Sequence, residues 1–176
     1  MSTGRYSHGI ELPVSDLKKI NIYTDGACTG NPGPGGYGVI LDSGDKRREL
    51  SAGYRLTTNN RMELMACIAG LKALRYRCEV TLYSDSQYVV NGITQGWARR
   101  WRANGWMRNK NEPAINPDLW GALLELCEAH DVTFKWVRGH AGHAENERCD
   151  KLAVEAAAAK DLPVDMGFSA TASRGR

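Results

Sequence analysis

Four acids lie far apart in the chain, each near the start or end of a predicted element: Asp25 in IYTDGACTGNPGPGGYG, Glu63 in TTNNRMELMA, Asp85 in LYSDSQYV and Asp150 in GHAGHAENERCDKLA. Carboxylates drawn from separate elements make a hard, anionic oxygen cage, the donor set that Mg²⁺ or Mn²⁺ takes for work on phosphate esters. Each acid also has an ordinary structural alternative. Asp25 precedes Gly26 after a strand and suits a turn. Asp85, between Ser84 and Ser86, suits a helix N-cap. Asn60 to Glu63 resembles a capping box, with Asn60 as cap and Glu63 at the third helical position. Asp150 borders the apolar face of its helix, where a solvated carboxylate is common. Convergence of all four would be different in kind, because like charges a few ångströms apart raise one another's pKa and a divalent cation removes that conflict.

The elements that must position these groups follow from periodicity. KKINIYTDG alternates Ile20 and Ile22 with polar positions, and GGYGVILD and RRELSAGYRL follow after turn-rich breaks, which predicts three successive strands joined by hairpins. NNRMELMACIAGLKAL sets Leu64, Ile68 and Leu71 on one helical face, widened by Met65, Ala66 and Ala69. EVTLYSD reads as a short strand, SQYVVNGI and WARRWRANG as short helices and PDLWGALLELCEAH as a longer one. VTFKWVRG reads as the last strand, and an Ala-rich helix runs from about Glu145 to Lys160. A meander pairs the first three strands antiparallel, whereas the later ones, reached through helices, suit parallel addition by crossover. The expected fold class is therefore α/β, a mixed five-stranded sheet (three antiparallel strands, then parallel additions) flanked by helices. Asp25 and Asp85 would lie at the ends of their strands, the side on which open α/β sheets do chemistry.

The 176 residues fit one domain, 18–160, and the aperiodic segments 1–17 and 161–176 read as flexible N- and C-terminal tails. With 23 Lys+Arg against 20 Asp+Glu the net charge is only +3, so local distribution matters more than the total. Five scattered cysteines without CxxC spacing disfavour a disulfide framework or zinc ribbon and point to a reducing cytoplasm. The sequence contains no apolar run of signal-peptide or membrane-spanning length, so a soluble protein is expected.

Taken together, TDGACTGNPGPGGYG, TTNNRMELMA, SDSQYV and VRGHAGHAENERCDKLA resemble the bacterial type 1 ribonuclease H family, in family order and over about Lys18 to Lys160. The resemblance implies a ribonuclease H-like fold and endonucleolytic cleavage of the RNA strand of an RNA–DNA hybrid, leaving a 5′-phosphate and a 3′-hydroxyl. It implies that Asp25, Glu63, Asp85 and Asp150 hold two Mg²⁺ ions, with Mn²⁺ able to substitute. One ion would lower the pKa of the attacking water and the other would stabilise the departing oxygen. Asp25 would bridge both ions, Glu63 and Asp85 would complete one and Asp150 the other. His140 matches the family's loop histidine, a proton carrier, with Gly139 and Gly142 giving the loop room to move. A zinc reading of His140, His143 and Cys149 lacks a fourth ligand at typical spacing.

The same resemblance places Cys28, Asn31, Asn59 and Gln87 along the minor groove of the hybrid, where 2′-hydroxyls distinguish RNA. Glu63 would also accept a 2′-hydroxyl, and Thr58 and Asn116 would hold a DNA phosphate. Asn31 also suits a turn and Asn59 a helix cap. Between Trp97 and Lys110 the chain carries Arg99, Arg100, Arg102, Arg108 and Lys110, interleaved with Trp97, Trp101 and Trp106 and without an acid. This is similar to the family's basic protrusion, a handle for the DNA strand. The spacing of Trp97 and Trp101 favours packing for the indoles. Leu56 stands near the phosphate pocket where an arginine is often found, with Arg55 beside it, and Gly96 is an additional residue before the protrusion. The expected partner is an RNA–DNA hybrid duplex, bound by a monomer in the cytoplasm with no membrane attachment.

Overall fold

Alternation of buried and exposed residues builds the sheet at the centre of the computed structural model, which describes residues 16–168. β1 (Lys18–Cys28), β2 (Gly33–Asp42) and β3 (Arg47–Thr57) form an antiparallel meander, while β4 (Cys78–Ser84) and β5 (Asp131–Trp136) add in parallel, giving the order β3-β2-β1-β4-β5. α1 (Asn59–Lys72) makes the first crossover, and α2 (Gln87–Thr94), α3 (Trp97–Ala103) and α4 (Pro117–Ala129) make the second. α5 (Ala144–Ala157) closes the chain of elements. The mixed five-stranded sheet expected from periodicity is the one observed.

The two faces of the sheet are used differently. On one, Ile22, Leu64, Leu71, Leu82, Trp120, Leu123 and Leu124 are fully buried where α1 and α4 cover the strands. On the other, α5 lies against β1, β2 and β3. It comes so close that a Cβ on Gly38 would stand 2.3 Å from the Cys149 carbonyl oxygen. That clearance explains part of the glycine-rich run, which by itself signals only a turn, and it brings the helix bearing Asp150 over the strand that pairs with Asp25, since Asp25 and Gly38 are register partners.

β1 also runs further than its sequence suggests. Asp25 lies inside it and not at a terminal turn, because pairing with β2 continues to Cys28↔Gly35. Pairing with β4, in contrast, stops at Tyr23↔Tyr83. β1 and β4 part there, and Asp25 and Asp85 stand on either side of the opening, the point at which chain direction across the sheet changes.

The segment 161–168, read as the start of a tail, instead packs on the domain; of the other expected tail only Asp16 and Leu17 are described, and Leu17 is buried. Arg61 in α1 is 2% exposed and Asp165 2% exposed. The guanidinium meets Asp165 at 2.7 Å and Asp118 at 2.8 Å. Thr57 donates to Asp165 at 2.7 Å, and the Arg55 backbone N–H donates to the Pro163 carbonyl at 3.0 Å. A desolvated arginine demands counterions, and no local pattern in 161–176 announces that Asp165 supplies one. Asp165→Ala is expected to cost about 3 kcal/mol of stability, because it strands a buried cation with only the half-exposed Asp118 as partner. Urea unfolding measures this, and a loss below about 1 kcal/mol would show that Asp118 suffices.

Candidate metal centre and nucleic-acid face

The opening between β1 and β4 gathers acid groups from three elements. Asp25 of β1, Glu63 of α1 and Asp85 after β4 each offer a carboxylate oxygen within 4.8 Å of the others. Asp25 and Glu63 are buried and Asp85 is half-buried.

None of the three is occupied by the structural work that offered an alternative for it. Thr58, not Asn60, caps α1, its Oγ1 accepting from the Arg61 backbone N–H at 3.2 Å. Glu63 is therefore the fifth helical residue and outside any capping box. Ser86, not Asp85, caps α2, its Oγ accepting from the Val89 N–H at 3.2 Å. Among the described residues Asp25 accepts from the N–H of its neighbour Gly26, at 2.9 Å, and caps no turn further on. Hydroxyl neighbours take the capping positions, which leaves the carboxylates to face one another.

Burial, then the charge of Asp85, pushes the Asp25 carboxyl up to about 8, with a smaller contribution from Asp150. Burial, then the charges of Asp25 and Asp85, raises Glu63 well above the usual carboxylate range. Glu63 Oε2 is buried and has no hydrogen-bond partner among the described residues. An orphaned buried oxygen beside two further acids fits a divalent cation: hard oxygen donors are present, and a cation would satisfy the orphan and relieve the repulsion. Asp150, half-buried on α5, stands outside the close trio and acts on Asp25 through space.

His140 is exposed, with a left-handed backbone (φ 55°). Its neighbour Gly139 packs on the site, since a Cβ there would lie 2.8 Å from Asp85 Oδ2. The Trp136 indole N–H donates to the Asp85 backbone carbonyl at 3.0 Å, so the strand leading into the histidine loop is tied to the acid. Among the described residues His140, His143 and Cys149 do not form a ligand group, and burial pushes the Cys149 thiol up to about 12, far from the thiolate that zinc requires.

The other residues expected to contact substrate are held by local hydrogen bonds or stand at helix starts. The Cys28 thiol reaches the carbonyls of Gly33 and Thr57, both at 3.5 Å. Exposed Asn31 accepts from the Asn59 N–H at 3.2 Å, which joins the β1–β2 turn to the start of α1. Gln87 is exposed at the first position of α2, two residues after Asp85. Asn116 precedes α4 and accepts from Arg61 at 3.2 Å.

Arg99 and Arg100 of α3 are exposed and outside ion pairs among the described residues. The stretch without acids of its own is partly neutralised by the fold. Arg102 pairs with Glu128 of α4 at 2.6 Å, and Arg108 pairs with Glu112. Trp101 and Trp106 pack against the core, with Trp101 edge-on to buried Trp120 at 6.0 Å. Sequence reasoning passed over Arg61, Asp118 and Asp165, whose pairings span up to 104 residues and carry no local signal.

The RNase H family profile matches residues 17–158. Ribonuclease H of Desulforamulus reducens is 66% identical over 152 residues, covering 86% of this chain and 96% of that protein. Among solved structures, LC9-RNase H1, a type 1 RNase H with the type 2 active-site motif, superposes with a TM-score of 0.73 at 36% identity, covering 84% of this chain and 74% of that one. LC11-RNase H1 in complex with RNA/DNA hybrid has a TM-score of 0.60 at 28% identity, covering 78% and 95%.

The acid cluster has a thermodynamic consequence. The Asp25 carboxyl sits near 8 in the metal-free fold against 3.8 for the free group, so the native state holds a proton that the unfolded chain gives up. The stability this group contributes is fully present at low pH and is lost as pH rises through about 8. Asp25→Asn, neutral throughout, is expected to melt above the unsubstituted protein in chelator, with a gap that widens from about pH 5 to about pH 8. A gap independent of pH would contradict this.

Proposed function

The chain belongs to the RNase H family, and we propose from its site how it carries out endonucleolytic hydrolysis of the RNA strand of RNA–DNA hybrids. The observation that carries the reading is the trio of Asp25, Glu63 and Asp85 at the parting of β1 and β4, with the orphaned Glu63 oxygen among them. Asp25, Glu63, Asp85 and Asp150 hold two Mg²⁺ ions, for which Mn²⁺ substitutes. When bound, such a pair supplies neutralising charge for the phosphoryl group, an acidified water and stabilisation of the leaving oxygen.

The chain's own groups do the rest. Asp25, central and buried, orients the site. Glu63, besides holding metal, accepts the 2′-hydroxyl beside the scissile phosphate and so selects RNA. Cys28, Asn31, Asn59 and Gln87 extend that selection along the minor groove. His140, on an exposed loop flanked by Gly139 and Gly142, carries protons to the leaving group and lets product depart, ending in a 5′-phosphate and a 3′-hydroxyl. Thr58 and Asn116 take a phosphate of the DNA strand, and Arg99, Arg100 and Arg102 hold that strand further out. No described helix is long and apolar enough to cross a membrane. We read the protein as a cytoplasmic monomer.

Asp25→Asn is expected to abolish cleavage of labelled hybrid in Mg²⁺ while leaving hybrid binding intact. Retained turnover, or comparable cutting of duplex DNA or duplex RNA in parallel, would defeat the assignment. For the handle, replacing Arg99 and Arg100 with Ala is expected to flatten the salt dependence of binding by about one unit of slope for each phosphate that is no longer neutralised. Arg102→Ala changes the slope less, because Glu128 already engages that guanidinium. Equal changes at the three positions would show that the Arg102 pair opens on the substrate.

A further inference from the structure

Arg61 links the segment 161–168 to the substrate face. All five N–H groups of its guanidinium are used inside the protein. Nε and Nη2 donate to the two oxygens of Asp165 at 2.7 and 3.0 Å, and Nη1 and Nη2 to those of Asp118 at 3.0 and 2.8 Å. Nη1 also donates to Asn116 Oδ1 at 3.2 Å. A guanidinium so satisfied has no donor left for a phosphate.

Its effect is on its neighbours. An arginine only donates, so the Asn116 atom facing it is the carbonyl oxygen, and the amide NH₂ is turned the other way. That NH₂ makes one long contact, 3.4 Å to the Tyr88 hydroxyl, which leaves its second hydrogen free. The Arg61 backbone N–H holds Thr58 Oγ1 as an acceptor at 3.2 Å, which leaves the hydroxyl proton to be given elsewhere. The guanidinium thus sets the Asn116 amide as a donor, whereas the Thr58 hydroxyl is set by the backbone of α1 whatever side chain stands at 61. The charge of the cluster, one cation against two carboxylates, is the wrong sign for an anion receptor, so orientation must do the work.

We propose that Arg61, clamped by Asp165, is a positioning residue for the DNA strand: its guanidinium presets the Asn116 amide to donate, beside the Thr58 hydroxyl, to one backbone phosphate. The proposal rests on the assignment of Thr58 and Asn116 given under the proposed function. It makes the segment 161–168 part of substrate recognition although it touches no substrate.

Steady-state cleavage and equilibrium binding of labelled hybrid, well below each variant's melting temperature, test it. Asp165→Asn removes a negative charge and would lower KM if charge governed the pocket. Under the positioning role it raises KM and Kd several-fold and leaves kcat in place. Arg61→Lys keeps the cation but cannot span Asp165, Asp118 and Asn116 together, and behaves alike. Asn116→Ala raises KM about tenfold, and Asp165→Asn adds nothing in that background. An unchanged or lowered KM for Asp165→Asn, or additive effects in the double variant, overturns the positioning role alone. If Asn116→Ala itself leaves KM unchanged, the phosphate contact beneath the proposal falls with it.

Discussion

Mutual repulsion among carboxylates in a place with little water is the constraint around which this protein is arranged. Asp25, Glu63 and Asp85 sit closer than like charges tolerate, and burial denies Asp25 and Glu63 the solvent that would screen them. In the metal-free fold the conflict is resolved by retaining protons on groups that are ordinarily ionised. A divalent cation would resolve it better, because its charge would replace those protons and Glu63 would gain a partner. Affinity for the cation and strain in its absence are thus one property measured in two ways.

The rest of the fold serves to keep that arrangement in place. Three elements deliver the trio, and the sheet opens at the point where they meet because β1 follows β2 while releasing β4. Thr58 and Ser86 cap the helices on either side, so no acid is drawn into helix termination. α5 approaches over glycine, close enough for the charge of Asp150 to be felt at Asp25. A site of this kind is stable only because the core of α1, α4 and the sheet is satisfied independently of it, with Trp120 and its aliphatic neighbours fully buried.

Much of this was legible in the chain, for identifiable reasons. Strands and helices announced themselves through periods of two and 3.6, and the order of elements left little freedom in how the sheet could be wound. Local rules misled where two residues competed for one task. Asn60 and Asp85 fit helix caps by type, yet Thr58 and Ser86 took the positions, and only the backbone path decides between the candidates. The extension of β1 was hidden because Gly26 reads as a turn, whereas pairing with β2 carries the strand on. Glu128 neutralises Arg102 across 26 residues and Asp165 answers Arg61 across 104, separations at which spacing holds no information. The close trio itself belongs to this last kind: each acid could be named in the sequence, but the distance between them is a property of the sheet.

The pairing of Arg61 with Asp165 also bears on the order in which the molecule becomes complete. During synthesis α1 emerges early and Asp165 more than a hundred residues later. Before that residue emerges the arginine has only the half-exposed Asp118 as counterion, so closing its surroundings costs more than in the finished fold. The nascent domain can therefore assemble its sheet and aliphatic interior first, whereas the N-terminal ends of α1 and α4 settle once 161–168 is released. Closure of the shell around Arg61 is in this way made to wait on a contact more than a hundred residues distant in the chain.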